Sequence, residues 1–230
     1  MGRILLTGDT HAQIDRLLFL NDSEMTKEDI VIVLGDFGFI WKDNKYTDET
    51  LKLLGEKKCT IAFLDGNHEN FSLIRAKETI TEWNGGRVGM LPYGVIHLLR
   101  GEIYKINGKI VGVCGGANSI DKARRIEGES WWKEEEITDA DVDNFAANLS
   151  KIKDKKIDIM LSHDAPASLV PLVKLYSYVN NTGETSKSQD QLERILQMAN
   201  IEKWYFGHWH ISEQLDDKFE CLYRIFKEIK

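Results

Sequence analysis

The hydrophobic pattern of the chain alternates short apolar runs with longer stretches of helical periodicity. The apolar runs are rich in Ile, Val, Leu and aromatic residues and are short for helices, so they predict buried β-strands. They occupy residues 3–7, 29–34, 60–64, 157–161 and 203–206. Helical periodicity appears at residues 12–20, 48–54, 138–149 and 188–198, and this alternation predicts βαβ units with a largely parallel sheet.

Two of the predicted helices begin with residues that cap helix N-termini. Thr138 is followed three residues later by Asp141, and Ser188 is followed at the same spacing by Gln191. A Ser or Thr side chain at this position accepts a hydrogen bond from the first turn, where backbone N–H groups have no partner within the helix. The pattern therefore supports both predicted starts.

The middle of the chain has a different pattern. Residues 95–99, 102–106 and 109–114 are strand-like and closely spaced. Asn107-Gly108 predicts a tight hairpin between the last two, because both turn positions favour a positive φ. Residues 221–226 predict a further strand. The expected fold is α/β, with two packed mixed β-sheets (a β-sandwich) flanked by helices, and with residues 1–230 in a single domain.

Composition narrows the class of protein. A chain of 230 residues with 42% hydrophobic and 29% charged residues is long enough for one sizeable core. The net charge of −7 argues against strong generic binding to nucleic acid. No apolar run approaches the ~18 residues of a membrane span, and the first candidate site residues leave no room for a signal peptide. Three distant cysteines in apolar surroundings, Cys59, Cys114 and Cys221, predict reduced core thiols and a cytoplasmic protein.

Residues that carry chemistry follow the predicted strands. The motifs are Gly8-Asp9-Thr10-His11, Gly35-Asp36-Phe37-Gly38, Asp65-Gly66-Asn67-His68-Glu69, Ser162-His163-Asp164 and Gly207-His208-Trp209-His210. The carboxyl ends of parallel strands meet at one edge of a sheet, where ligands bind. Each motif alone has an ordinary explanation as a polar turn, but the ordered set is hard to attribute to coincidence.

The residue types in these motifs suit a catalytic metal site. Carboxylate oxygen, imidazole nitrogen and amide oxygen are ligands for Mn²⁺, Fe, Zn²⁺, Co²⁺ or Ni²⁺. No cysteine lies in the motifs, which argues against a structural zinc site of the cysteine type. Ligands scattered over five loops converge only in the folded chain, as is typical of a catalytic centre.

In order along the chain, the five motifs resemble the signature blocks of the calcineurin-like metallophosphoesterases, a resemblance that extends from residue 9 to residue 210. It implies a helix-flanked β-sandwich that hydrolyses phosphomonoesters or phosphodiesters with two divalent cations, Mn²⁺ foremost. By the resemblance, one cation would be bound by Asp9, His11, His210 and a bridging Asp36. The other would be bound by Asn67, His163, His208 and the same Asp36. His68 would lie near the phosphate without binding metal.

The chemistry of such a site follows from general principles. Two cations about 3.5–4 Å apart share a hydroxide, lower its pKa and neutralise the phosphoryl oxygens. A nearby imidazole, here His68, would act as proton donor or charge stabiliser for the leaving alkoxide. Glu69 or Asp164 would either orient a histidine or occupy the start of a helix.

One motif departs from part of the family and bears on the substrate. Gly35-Asp36-Phe37-Gly38 lacks the Val-Asp-Arg-Gly continuation of the protein serine/threonine phosphatases, which disfavours phosphoprotein substrates. The expected substrate is a phosphorylated small molecule, a nucleotide or a nucleic-acid end, with no membrane partner. The alternatives are a catalytically silent metal-binding interaction module and another dinuclear hydrolase such as an amidohydrolase. An amidohydrolase would favour a metal-bridging lysine and a longer barrel.

Three segments outside the motifs are candidates for substrate contact. Residues 115–125 combine glycines with Lys122, Arg124 and Arg125, so Arg124 or Arg125 would contact a phosphate unless the segment is a solvated turn before the acidic run 134–136. Trp131-Trp132 predicts packing rather than base stacking. Residues 175–189 would form a lid or an ordinary surface loop, and His97 is expected to be structural.

Overall fold

The structure is a computed structural model, and it describes residues 2–20, 22–177 and 185–229. The strands are β1 (Ile4–Thr7), β2 (Ile30–Leu34), β3 (Thr60–Leu64), β4 (Thr79–Trp83), β5 (Gly86–Met90), β6 (Ile96–Leu98), β7 (Ile103–Ile106), β8 (Lys109–Cys114), β9 (Lys156–Ser162), β10 (Asn200–Phe206), β11 (Glu213–Gln214), β12 (Phe219–Cys221) and β13 (Lys227–Ile229). The helices are α1 (Ile14–Leu18), α2 (Lys45–Gly55), α3 (Phe71–Lys77), α4 (Asp139–Leu149), α5 (Val170–Val173) and α6 (Lys187–Met198).

The strands form two mixed sheets. The first has the order β13-β1-β2-β3-β6-β5-β4, and the second has the order β11-β12-β10-β9-β8-β7. The central pairs β1–β2, β2–β3 and β3–β6 of the first sheet are parallel, as are β8–β9, β9–β10 and β10–β12 of the second. Both sheets therefore bring the carboxyl ends of successive parallel strands to one edge.

The two sheets pack face to face. Ile30, Ile32 and Leu34 of β2 point into the core between the sheets, where they meet Val113 and Leu161 of the other sheet. The alternate residues Val31 and Val33 face α1 and α2 on the outside. Every residue of β2 is buried, and burying each such side chain stabilises the fold by roughly 1.5–3 kcal/mol.

Helices cover the outer face of each sheet. Leu17, Leu51 and Leu54 pack on the first sheet, and Phe145, Leu192 and Ile195 pack on the second. The resulting order of layers is helix, sheet, sheet, helix. The expectation of two packed mixed sheets flanked by helices is confirmed.

Most predicted elements are present with shifted ends. The Asn107-Gly108 hairpin joins β7 to β8, with φ of 49° and 84° at its two turn residues. Thr138 caps α4 in a capping box with Asp141, as predicted. The cap of α6 is Ser186 with Gln189, two residues before the predicted Ser188, whose hydroxyl instead accepts from the Ile137 amide.

Other predictions were wrong or incomplete. The predicted strand at residues 221–226 is split, since β12 ends at Cys221 and β13 begins at Lys227. Helix α3 and the hairpin of β4 and β5 were missed, although Asn84-Gly85 has the same turn signature as Asn107-Gly108, with φ of 50° and 86°. The exposed, polar β4 gives no alternating pattern, so the strand signal around that turn is weak.

Two further features of the structure concern its cysteines and the length of its helices. Cys59, Cys114 and Cys221 are buried and form no disulfide with one another, as expected. In the described ranges, no helix has the length and apolar character required to span a membrane.

Candidate metal centre

The candidate ligands lie on loops that follow five parallel strands. Asp9 and His11 follow β1, Asp36 follows β2, Asn67 follows β3, His163 follows β9, and His208 and His210 follow β10. Each loop leaves the carboxyl end of its strand, so the packing of the two sheets brings all five loops together. The site therefore lies across the edge shared by both sheets.

One group of side chains has ligand atoms close enough to share a cation. Asp9, His11 and His210 each offer one atom, and these atoms lie within 4.8 Å of one another. The Nε2 atoms of His11 and His210 are 3.1 Å apart, and His210 Nε2 is 3.1 Å from Asp9 Oδ2. Three donors that converge on one point in this way fit a divalent cation.

A second group lies on the other side of Asp36. His163 Nε2 is 3.1 Å from Asn67 Oδ1 and 3.4 Å from Asp36 Oδ1. The rings of His163 and His208 are in edge contact, with centroids 5.0 Å apart. Asp36 Oδ2 faces the first group, at 3.7 Å from His11 Nε2. The two carboxylate oxygens of Asp36 therefore face different groups of candidate ligands.

A buried oxygen without a hydrogen bond tests whether this donor set fits metal. Asp9 is fully buried, and among the described residues its Oδ2 atom accepts no hydrogen bond of acceptable geometry. The nearby His210 Nε2 is a close contact but does not satisfy this oxygen. An unsatisfied buried carboxylate oxygen is costly in a native structure, and a bound cation would remove that cost. The donor set therefore fits a divalent cation.

The electrostatics of the cluster favour the ionised form of its carboxylic acids, which is the form that binds metal. Burial opposes ionisation of Asp36, but the imidazole of His163 outweighs it and holds the pKa of Asp36 far below its usual range. Burial also opposes the charged form of His163, yet the Asp36 carboxylate raises the pKa of His163 to about 10. Burial lowers the pKa of His11 and His208. The cluster thus contains ionised carboxylates with neutral imidazoles at its edges, and a cation would compete with the proton on His163.

The backbone is strained at the candidate ligands. Positive φ angles occur at His11 (44°), Asp36 (47°), His208 (65°) and His210 (53°). Non-glycine residues rarely adopt these angles, and such strain is concentrated at functional sites. It also explains why α1 begins at Ile14 rather than at the predicted residue 12, since His11 and Ala12 both have left-handed φ.

Three glycines permit the close approach of the loops. A Cβ at Gly35 would lie 2.1 Å from His163 Nδ1, one at Gly66 would lie 2.1 Å from Asp36 Oδ1, and one at Gly207 would lie 2.5 Å from Asp9 Oδ1. Real Cβ atoms do not approach other atoms so closely, so each position requires glycine. The glycines of the sequence motifs therefore make space for the candidate ligands beside them.

Sequence reasoning missed the groups that orient the second group of candidate ligands. The Leu34 carbonyl accepts from His163 Nδ1 at 2.7 Å. Ser119 Oγ accepts from Asn67 Nδ2 at 3.0 Å and donates to Glu135 at 3.0 Å. Glu135 is fully buried, and burial raises its pKa to about 7. The sequence did not indicate this burial, because Glu135 lies within an acidic run, and such a run is typical of a solvated turn.

Glu69 and Asp164 do not orient a histidine through a hydrogen bond. Glu69 accepts from the backbone amides of Phe37 and Gly38, at 2.7 and 3.2 Å, and so fixes the loop that carries Asp36. Burial raises the pKa of Glu69 to about 8. Asp164 accepts from Trp209 Nε1 at 2.9 Å, which joins the loops after β9 and β10.

His68 lies at the border of the site beside the basic segment. Its backbone amide donates to Asp36 Oδ1 at 2.7 Å, and its ring lies 5.6 Å from the His11 ring between centroids. Arg125 Nη1 is 2.9 Å from His68 Nδ1, whereas the neighbouring Arg124 is exposed. Lys122 pairs with Glu136 at 2.6 Å. Of the two candidate arginines, Arg125 reaches the site.

The remaining candidate segments pack as structural elements where they are described. Trp132 is buried, as expected, and donates to Ser72 Oγ at 3.1 Å. His97 lies in β6 between Glu78 and Asp65, which agrees with a structural role. Part of the possible lid at residues 175–189 lies outside the described residues, at 178–184.

Comparison with known proteins supports the fold and places the chain in a family. The model of the family described as calcineurin-like phosphoesterase matches residues 2–212. The crystal structure of TT1561 of Thermus thermophilus shares the fold, with a TM-score of 0.51, 12% sequence identity, and coverage of 99% of this chain and 97% of that one. No curated protein sequence matches the chain. The match to the family model extends over all five motifs and most of the chain, and the chain belongs to the calcineurin-like phosphoesterase family.

Proposed function

We propose that this protein hydrolyses phosphoric esters at a centre of two divalent cations bridged by Asp36. Family membership supports metal-dependent phosphoester hydrolysis in general. The position of Asp36 carries the more specific proposal, because its two oxygens lie 3.7 Å from His11 Nε2 and 3.4 Å from His163 Nε2, on opposite sides. A carboxylate between two groups of ligands is the group that offsets repulsion between two cations.

The proposed ligands divide into two sets that share this carboxylate. The first set is Asp9, His11, His210 and Asp36, and the second is Asn67, His163, His208 and Asp36. Oxygen and imidazole ligands without thiolate are compatible with Mn²⁺, Fe, Zn²⁺, Co²⁺ and Ni²⁺, and Mn²⁺ is the metal proposed here. When bound, the cations would supply a nucleophile at neutral pH and neutralise the phosphoryl oxygens.

The protein side chains would hold this chemistry in position. The Leu34 carbonyl fixes the His163 ring so that Nε2 faces Asn67 and Asp36, and Ser119 holds the Asn67 amide with its oxygen toward the same place. His68 would act at the leaving oxygen as proton donor or charge stabiliser, because its backbone is tied to Asp36 while its ring remains at the border of the site. Glu69 would keep Asp36 on its strained turn.

The proposed substrate is a phosphorylated small molecule, a nucleotide or a nucleic-acid end. A local contact from Arg124 or Arg125 to a phosphate stays a prediction, as does the single-domain organisation over residues 1–230. The proposed location is cytoplasmic, and the three buried cysteines, which form no disulfide with one another, are compatible with it. Manganese as the native metal is part of the same proposal.

The alternative is a metal-binding interaction module that has lost catalysis. The chain retains His68 and all seven candidate ligands, which favours the enzyme. A screen of Mn²⁺-loaded protein against p-nitrophenyl phosphate, bis-p-nitrophenyl phosphate, nucleotides and oligonucleotide ends distinguishes the two.

The decisive variants in that screen are His68→Asn and Asp36→Asn. His68→Asn should keep its metal and lose activity by a factor on the order of 10²–10⁴, the span of general acid–base catalysis. Asp36→Asn should lose both metal and activity. Full metal binding without turnover of any of these substrates by the unaltered protein would favour the silent module.

A further inference from the structure

Arg125 and His68 make a direct contact that determines how the histidine ring is used. Guanidinium Nη1 lies 2.9 Å from His68 Nδ1. A guanidinium group has N–H donors and no acceptor, so His68 Nδ1 must be the acceptor. The ring proton of the neutral imidazole therefore lies on Nε2, at the far edge of the ring.

Arg125 is itself fixed within its own segment. Its Nη2 atom pairs with the Asp121 carboxylate at 2.9 Å, and Nη1 also donates to the Ser130 carbonyl at 3.3 Å. The side chain is only 19% exposed. Because both terminal nitrogens are engaged, the guanidinium is held against His68 rather than free to follow a substrate phosphate.

His68 is thus held at two points. Its backbone amide donates to Asp36 Oδ1 at 2.7 Å, and its ring accepts from Arg125. The first contact sets the position of the residue relative to the proposed bridging carboxylate. The second sets the rotation of the ring and determines which of its two nitrogens is protonated.

We propose that Arg125 is a positioning residue that holds His68 in the Nε2–H tautomer, so that this N–H meets an oxygen of the phosphoester. The inference rests on the proposed function for its kinetic consequence, while the tautomer itself can be observed without turnover. It is an alternative to the untested prediction that Arg125 binds the phosphoryl group directly, and the kinetic test distinguishes the two. In this proposal Arg125 acts through His68 rather than on the substrate.

The kinetic test is a double-mutant cycle on the Mn²⁺-loaded protein. Arg125→Ala should lower kcat by roughly ten- to a hundred-fold with little change in KM, as expected for the loss of one hydrogen bond from a charged donor. The double variant with His68→Asn should be no slower than His68→Asn alone, because both substitutions remove the same function. Arg125→Lys should recover part of kcat, since its ammonium also donates.

The matched control is Lys133→Ala. Lys133 is an exposed cation eight residues further along the chain and pairs with Glu127 at 3.0 Å, so it tests the effect of charge alone. Its kinetics should equal those of the unaltered protein. A raised KM for Arg125→Ala, or losses that add in the double variant, would indicate a direct substrate contact and overturn the proposal.

A spectroscopic test is independent of turnover. In ¹⁵N NMR of the Zn²⁺-loaded protein, with the His68 signals assigned through His68→Asn, Nδ1 should be unprotonated and Nε2 protonated. Arg125→Gln, chosen to limit any loss of folding, should shift the ring toward a mixture of tautomers. Protonated Nδ1 in the unaltered protein refutes the positioning role. Absence of turnover with the predicted tautomer present refutes the proposed function instead.

Discussion

His163 Nδ1 donates a hydrogen bond to the Leu34 carbonyl over 2.7 Å, and this contact joins the two sheets at the site. Leu34 is the last residue of β2 in the first sheet, and His163 follows β9 in the second. The bond leaves His163 Nε2 without its proton in the neutral ring, facing Asn67 and Asp36. A backbone carbonyl thereby selects the tautomer that a metal requires.

Gly35, which follows Leu34, should not tolerate even the added methyl group of alanine. Gly35→Ala combines a φ of +87° with a Cβ only 2.1 Å from His163 Nδ1, whereas Gly85→Ala has a φ of +86° and no atom within 4 Å. The left-handed backbone costs about 1–2 kcal/mol in both variants. The crowding in Gly35→Ala should add about 1–3 kcal/mol and weaken metal binding.

Urea unfolding of both alanine variants in metal-free buffer measures this difference, and Mn²⁺ titration measures the metal affinity. Equal free energies of unfolding for Gly35→Ala and Gly85→Ala would mean that His163 moves aside without cost.

Bound metal should raise the free energy of unfolding, and the gain should increase with the ratio of metal concentration to dissociation constant. Metal analysis of saturated protein should give a stoichiometry near two, and Mn²⁺ at 100 times its dissociation constant should add about 2.7 kcal/mol for each site. Asp36→Asn should lose most of this gain, because the amide keeps the shape of the side chain but removes the charge between the sites. Calorimetric melting with and without Mn²⁺ gives the gain, with the surface variant Asp139→Asn as control. A folded protein without any metal-dependent shift would contradict the two-metal proposal.

The Ser119 hydroxyl should control only the second set of ligands. Ser119→Ala removes the acceptor for Asn67 Nδ2, so the Asn67 amide can rotate and withdraw its oxygen. Loss of such a supporting bond should lower metal affinity at that site by about 10- to 100-fold while the site of Asp9 and His210 is retained.

Titration calorimetry should therefore separate one weakened binding event from one that is unchanged. Ser150→Ala, whose exposed hydroxyl donates to the Ala147 carbonyl, should bind both ions as the unaltered protein does. Equal weakening of both sites in Ser119→Ala would instead indicate a general loss of structure.

His97 should make the stability of the metal-free protein depend on pH. Burial opposes its charge, but Asp65 and Glu78 outweigh burial and raise the pKa of His97 to about 9, against 6.5 for the unfolded chain. Arg100 also faces this group through its pair with Asp65. Because the folded pKa is the higher one, the contribution of His97 is complete below about pH 6.5. It is lost as pH rises through about 9, and it amounts to roughly 3 kcal/mol.

The measurement is urea unfolding of the unaltered protein and His97→Gln with EDTA, between about pH 6 and pH 10. The stability advantage of the unaltered protein should be largest at the acidic end and should shrink at the alkaline end. Glu69 and Glu135 also titrate, but they do so in both proteins and cancel in the difference. A difference that is constant over this range would show that His97 carries no charge in the fold.

Local patterns predicted much of the architecture from the sequence. The buried strands β2 and β3 are continuous apolar runs, and the Asn107-Gly108 turn needs only its own backbone preference. The exposed β4 has no such pattern, so its hairpin was missed despite the Asn84-Gly85 turn. The start of α1 was misjudged because the positive φ of His11 and Ala12 is imposed by contacts with the loop of Asp36.

The sequence by itself determined the types and the order of the candidate donors. All seven lie within four residues of the end of a strand, and four of them, Asp9, Asp36, Asn67 and His208, stand next to glycine, so their turns are local properties of the chain. Only the tertiary structure decided how these atoms face one another. The bond from His163 to Leu34 joins residues 129 positions apart, and the contact of Arg125 with His68 joins residues 57 positions apart. Such contacts depend on how distant parts of the chain pack together. The burial of Glu135 within an acidic run has the same origin, because burial is set by the surrounding elements and not by neighbours in sequence.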